Sequence, residues 1–217
     1  MLYRDRRQAG RILATYLKDH ANRENVLVLG LPRGGVPVAF EVAQQLHAPL
    51  DVFVVRKLGV PGQEELAMGA IASGGVRVLN ENVVRALGIS PEAIDAAASR
   101  EQQELERRER LYRDNRPAPV IQGRDVILVD DGLATGASMH AAVSALRALG
   151  PERITVAVPV GAVDSCEDLR KYADAVICAN TPEPFYSVGA WYDDFSQTTD
   201  EEVRELLRRA VEPANVP

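Results

Sequence analysis

Thirteen consecutive residues, Val126-Ile127-Leu128-Val129-Asp130-Asp131-Gly132-Leu133-Ala134-Thr135-Gly136-Ala137-Ser138, set two kinds of chemistry side by side. Four apolar residues run into a pair of carboxylates, and a turn of small residues follows. The apolar run reads as a strand buried on both faces. That puts Asp130 and Asp131 at its carboxyl end, where open α/β sheets take their ligands. The turn from Ala134 to Met139 brings backbone N–H groups and the hydroxyls of Thr135 and Ser138 to a helix N-terminus, a setting for a phosphate. Carboxylates that accept hydrogen bonds from sugar hydroxyls, beside such a cradle, suit a phosphorylated ribose. The plainer alternative is a strand that ends in a capping turn with solvated aspartates.

A second turn, Leu31-Pro32-Arg33-Gly34-Gly35, follows another apolar run, Val26 to Leu29. Gly34 and Gly35 let backbone amides approach an anion closely, and Arg33 adds a permanent charge just ahead of a helix. Arg56 and Lys57 stand at the end of the next strand, on the same sheet edge. Leu58 to Glu65 then reads as a polar loop punctuated by Gly59, Pro61 and Gly62 and carrying Glu64 and Glu65. Such a loop suits a lid that excludes water. The tail Phe185 to Phe195 contains Trp191, the one tryptophan, and Tyr192, whose rings are candidates to stack on a flat base. A satellite apolar cluster is the competing reading of that tail. His20, His47 and His140 lie on helix-like segments without partner spacing.

Several elements must position these groups. Residues 3–19 read as an amphipathic helix with Ala9, Ile12, Leu13, Tyr16 and Leu17 on one face. Strands are expected at 26–29, 51–55, 125–130, 154–158 and 175–178, and helices at 36–46, 137–149 and 163–172. A hairpin is expected from Ala67–Ala72 and Val76–Leu79 around Ser73-Gly74-Gly75. Ser90-Pro91 opens a long helix to about Asn115, with Glu104–Arg108, Glu106–Arg110 and Glu109–Arg113 spaced as ion pairs. Its thin apolar stripe reads as a solvated surface helix, with a subunit contact as the alternative. Thr199 or Asp200 caps a last helix to about Ala210. Alternating strands and helices predict an α/β fold. Its sheet is mainly parallel and twisted, with helices on both faces. One domain is expected over 1–217, with its core at about 26–160 and a small hood from the terminal segments, the tail at about 161–217 and the N-terminal helix at 3–19.

Composition bounds the function. The 217 residues are 46% hydrophobic and 26% charged, ordinary for a globular chain. A net charge of −6 argues against broad nucleic-acid binding. No apolar run has the length of a membrane span, and the charged N-terminus has no apolar region behind it. These features, with Cys166 and Cys178 read as reduced thiols, lead to the expectation of a cytoplasmic protein.

The Asp130-Asp131-x-x-x-Thr135-Gly136 core, with the glycine turn ahead of it, resembles the phosphoribosyl-pyrophosphate (PRPP) signature of type I phosphoribosyltransferases. The resemblance covers residues 26–160. Gly132 departs from it, since an aliphatic residue is usual there, and the strand is expected to end slightly earlier. The resemblance implies transfer of phosphoribose from Mg-PRPP to a nitrogenous acceptor, a nucleobase first among them, with release of pyrophosphate. It gives Asp130, Asp131 and Lys57 catalytic roles. Ala134, Thr135, Gly136, Ala137 and Ser138 would hold the 5′-phosphate; Arg33, Gly34, Gly35, Arg56 and Lys57 would hold the pyrophosphate. Mg²⁺ would meet Asp130 and Asp131 mostly through substrate and water. In the family one peptide of the pyrophosphate turn is often strained or cis. The run Arg56 to Gly62 and Ala134 are similar to adenine phosphoribosyltransferases, whereas Val188-Gly189 to Asp193 is closer to the hood of hypoxanthine–guanine enzymes, so the acceptor stays open. Sheet-edge homodimers are common in the family. The competing expectation is a catalytically silent PRPP- or nucleotide-sensing regulator of the same fold.

Overall fold

The computed structural model describes residues 2–114 and 116–211. In chain order its elements are α1 (Arg6–Thr15), β1 (Val26–Gly30), α2 (Gly35–Leu46), β2 (Leu50–Val52), β3 (Val55–Val60), β4 (Gln63–Ala72), β5 (Val76–Leu79), α3 (Glu81–Leu87) and α4 (Pro91–Arg113), followed by β6 (Asp125–Val129), α5 (Ala137–Ala148), β7 (Arg153–Val160), α6 (Val163–Leu169), β8 (Ala175–Asn180) and α7 (Asp200–Val211). Five strands form a parallel sheet in the order β2-β1-β6-β7-β8. Alternation along the strands divides the core in two. Val26, Val28, Ile127 and Val129 pack with α1, α2 and α7 residues such as Leu13, Phe40 and Leu206. Leu27, Leu29, Val126 and Leu128 pack with α5 and α6 residues such as Met139, Leu146 and Leu169. Full burial of each such side chain contributes about 1.5–3 kcal/mol.

The region after β2 differs from expectation. The predicted strand 51–55 is two strands, β2 ending at Val52 and β3 beginning at Val55, and the predicted lid loop is itself a hairpin. β3, β4 and β5 form a separate antiparallel sheet, with Val60 opposite Gln63. Pro61 and Gly62 make the two-residue connection, and Gly62 takes φ +79 there, as the third position of a type II turn requires. The register shifts around Gly59, where a Cβ would lie 2.6 Å from the Glu64 carbonyl oxygen. The hairpin predicted at 67–79 is present as β4 and β5, and α3 follows it unforeseen.

The long helix α4 starts as expected: the Ser90 side chain accepts from Ala93 N–H at 3.3 Å. Its predicted end at Asn115 lies outside the described residues. It is not merely a solvated helix. Ile94, Ala97, Leu105 and Tyr112 are buried in the core. Arg113, also buried, donates from Nε to Asp51 Oδ1 at 3.0 Å, from Nη1 to Glu109 Oε1 at 2.7 Å and from Nη2 to the Val52 carbonyl at 3.0 Å. Tyr112 donates to Asp200 Oδ1 at 2.7 Å, tying α4 to α7. Glu104 pairs with Arg107 and Arg108, while Glu106 accepts from Gln102.

The cysteines also depart from expectation: Cys166 and Cys178 are joined as a disulfide, with Cα atoms 6.7 Å apart. They are 12 residues apart in sequence, and α6 folds back along β8 to bring them together. The terminal segments meet through backbone hydrogen bonds. Tyr3 N–H donates to the Trp191 carbonyl and Asp193 N–H to the Tyr3 carbonyl, each at 2.8 Å. No helix among the described residues is long and apolar enough to cross a membrane.

Candidate functional site

Asp130 and Asp131 leave the carboxyl end of β6, and the glycine turn leaves the carboxyl end of β1 beside it. Leu31 N–H donates to the Val129 carbonyl at 2.9 Å, so the turn is tied to the strand that presents the carboxylates. The Pro32–Arg33 peptide is cis. Gly34 then lies against Asp131 so closely that a Cβ there would collide with Asp131 Oδ2. At Gly35 a Cβ would sit 2.7 Å from the Val129 carbonyl oxygen and 2.9 Å from Asp130 Cα. Two glycines are therefore what lets the start of α2 close on the paired aspartates.

The carboxylates are held from several sides. Asp131 N–H donates to Asp130 Oδ1 at 2.9 Å, and the Tyr192 hydroxyl donates to the Asp131 carbonyl at 2.6 Å. Arg6, from the first turn of α1, donates from Nε to Asp131 Oδ2 at 2.8 Å. Burial pushes the Asp130 carboxyl well above its ordinary range, and the charge of Asp131 adds to the effect. Burial also raises Asp131, against which the Arg6 guanidinium acts. Negative charge on this pair is therefore held at a cost.

The phosphate-type turn lies next in the chain. Gly136 is the N-cap of α5 and brings no side chain to cap the first turn, which leaves backbone N–H groups for an anion. The turn is braced from behind: Leu133 N–H donates to the Val160 carbonyl at 2.9 Å, Ala162 N–H to the Leu133 carbonyl at 2.8 Å, and Ser165 Oγ to the Ala134 carbonyl at 2.5 Å. A cavity of about 750 Å³ opens beside it, and Thr135, Gly136 and Ala137 share its lining with Lys57 from β3.

Strand alternation separates the basic pair that the sequence placed together. Lys57 lines the same cavity as Thr135, Gly136 and Ala137, with Glu65 Oε2 3.9 Å from its Nζ. Arg56 points the other way and donates from Nε to Glu101 Oε2 on α4 at 2.7 Å. Gly59, Pro61, Gly62, Glu64 and Glu65 lie along and at the tip of the β3–β4 hairpin. Arg33 is half-buried in the first turn.

The tail places its aromatic rings differently from a stacking platform. Tyr192 is only 6% exposed and packs between Tyr3, at 5.5 Å between ring centroids, and Phe195, at 5.1 Å. Burial raises its phenol far above the usual range. Trp191 is half-buried in the same cluster. The ring that stands free is Tyr186, 82% exposed. Val188 explains the departure at Gly132: a Cβ on Gly132 would collide with Val188 Cγ1. β6 stops at Val129, and the tail fills the space an aliphatic residue at 132 would take.

One contributor, Arg6, was not singled out from sequence, and the contacts of Val188 with Gly132 and of Phe195 with Arg6 were not foreseen. Arg6 sits in the run Arg4-Asp5-Arg6-Arg7, where nothing in residue type separates it from its neighbours. Only the helix start, capped by Asp5 accepting from Gln8 N–H at 2.7 Å, aims it inward.

Comparison with known proteins agrees with this geometry. The family model described as "Phosphoribosyl transferase domain" matches residues 3–188. A Mycobacterium tuberculosis (strain H37Rv) protein, whose name assigns it provisionally to the phosphoribosyl transferases, is 50% identical over 209 residues, which are 96% of this chain and 47% of that protein. The chain therefore spans about half the length of that relative. The bifunctional protein PyrR of Corynebacterium diphtheriae is 28% identical over 155 residues, 71% of this chain and 63% of that protein. The crystal structure of TT1426 from Thermus thermophilus superposes with a TM-score of 0.88 at 45% identity, covering 98% of this chain and 100% of that one. With the domain model spanning the sheet, both turns and the paired aspartates, the chain belongs to the type I phosphoribosyltransferase family.

Proposed function

We propose that the protein is a phosphoribosyltransferase that transfers phosphoribose from Mg-PRPP to a nitrogenous acceptor, a nucleobase first among the candidates, and releases pyrophosphate. The observation that carries this reading is the closure of Gly34 and Gly35 onto Asp130 and Asp131 beside the open N-terminus of α5. Asp130 and Asp131 accept hydrogen bonds from the ribose hydroxyls and place negative charge near an electron-poor sugar. Residues Ala134 to Ser138 hold the 5′-phosphate through backbone N–H groups and two hydroxyls. In this reading Arg33 and Lys57 face the pyrophosphate, and Arg56, paired with Glu101, is left out of that role. The lone pair of the acceptor nitrogen forms the bond to C1′ as the C1′–oxygen bond breaks. The electron pair of that bond leaves on pyrophosphate, and the proton of the acceptor nitrogen passes to water or to the departing pyrophosphate. The protein supplies position and electrostatics rather than a nucleophile.

Among the described residues, no group of three or more His, Cys, Asp or Glu side chains is arranged to hold a metal ion. Two carboxylates, one already paired with Arg6, fit an ion whose other ligands are substrate oxygens and water. Mg²⁺ bound in that way would neutralise the charge of the departing pyrophosphate.

The test is pyrophosphate release from Mg-PRPP across a panel of nucleobases and amines, with Asp131→Asn as control. Release that depends on one acceptor and falls at least about a hundredfold in the control supports the proposal. PRPP that protects against heat without any turnover would replace it with the sensing-regulator reading. Absence of both release and protection would overturn it.

A further inference from the structure

Arg6 has no role toward the sugar in the reading above, yet it makes the one side-chain ion pair at the paired aspartates among the described residues. We propose that Arg6 is a positioning residue for the sugar, clamping Asp131 through Oδ2 so that its remaining lone pairs are set for the ribose hydroxyls. This inference rests on the proposed PRPP reading.

The geometry leaves Asp131 little freedom. Its carbonyl accepts from the Tyr192 hydroxyl at 2.6 Å, its N–H donates to Asp130 Oδ1 at 2.9 Å, and Gly34 closes one side of its carboxylate. What remains is rotation of the carboxylate, and Arg6 Nε takes hold of it at 2.8 Å. Arg6 is fixed in turn. Its Nη1 donates to the Ser196 carbonyl at 2.7 Å, and its guanidinium lies 4.0 Å from the Phe195 ring centroid. The two paired side chains are only 12% and 15% exposed, so water screens this pair far less than a surface pair. A planar guanidinium bonds the carboxylate and the tail carbonyl together while stacking on a ring, and an ammonium cannot do all three. The N-terminal helix and the tail, both outside the PRPP-like stretch, thus converge through one side chain on the sugar end of the site.

The experiment compares wild type, Arg6→Ala and Arg6→Lys for KM of PRPP, kcat and KM of the acceptor, with and without Asp131→Asn. Losing a charge-assisted bond to a mostly buried carboxylate is expected to raise KM for PRPP roughly tenfold or more in Arg6→Ala. Arg6→Lys should recover part of that loss, and KM for the acceptor should stay near wild type. In the Asp131→Asn background, removing Arg6 should bring no comparable further rise. If Arg6→Ala does not fold, Arg6→Lys and Arg6→Gln serve in its place, with urea unfolding reporting stability separately. A folded Arg6 variant with wild-type KM for PRPP overturns the assignment, as does an equal effect with and without the Asp131 carboxylate. Wild-type protein that PRPP neither protects nor reacts with refutes the proposed function itself, a result distinct from failure of the Arg6 comparison.

Discussion

A methyl group on Gly132 tests how the tail seats on the end of β6. An ideal Cβ there would collide with Val188 Cγ1 and lie 2.8 Å from Cγ2 and 3.1 Å from Cβ. Carbon atoms prefer roughly 3.5–4.0 Å, so Val188 must retreat by about 1 Å. It cannot do so freely: the next residues form a short 3-10 turn, Gly189–Trp191, and Tyr192 beyond it is anchored to the Asp131 carbonyl at 2.6 Å. Overpacking of this kind costs about 1–3 kcal/mol. At about 2–4 °C per kcal/mol for a chain of this size, Gly132→Ala should lower the melting temperature by roughly 2–12 °C. Val188→Ala removes the colliding atoms, so the double variant should recover most of that loss, with a coupling of about 1 kcal/mol or more. Urea unfolding followed by the fluorescence of Trp191, the one tryptophan in the chain, measures each corner of the cycle. A Gly132→Ala protein as stable as wild type, or a double variant that is merely the sum of the singles, would refute the packing argument.

Two further perturbations separate roles that the sequence left together. Lys57→Ala should lower kcat/KM for PRPP roughly tenfold or more, whereas Arg56→Ala, whose partner is Glu101, should stay within about threefold; initial rates showing the opposite order would mean that the β3 faces are assigned the wrong way round. Asp130→Asn addresses the cost of burying charge at the paired aspartates. Because burial raises the Asp130 carboxyl, the folded state keeps its proton at pH values where the unfolded chain has lost it, so stability falls as pH rises from the ordinary carboxylate range through the raised value. Without ligand or metal, Asp130→Asn should therefore melt above wild type at about pH 7, with the advantage shrinking toward about pH 4. Thermal scans in which the variant gains nothing at neutral pH would contradict this sign.

The sequence alone determined the parallel sheet, because runs such as Val126 to Val129 are apolar without alternation and only burial on both faces accommodates them. It also located both turns, since paired carboxylates and glycines after buried strands carry their chemistry in residue type and order. The small antiparallel sheet was only half legible. Pro61-Gly62 is a local turn signal, but polar residues along β3 and β4 hid the strands, and the opposite facing of Arg56 and Lys57 followed only from their being in a strand. The tail and α4 read poorly for a related reason: their few apolar residues find partners far away in the chain, as Tyr112 does at Asp200 and Tyr192 at Asp131. Arg6, Val188 and the cysteine pair were decided by tertiary structure alone. An arginine among arginines, a valine in a loop and two cysteines without a motif acquire roles only when the fold brings a carboxylate, a bare glycine or each other within reach, and no local pattern encodes that distance.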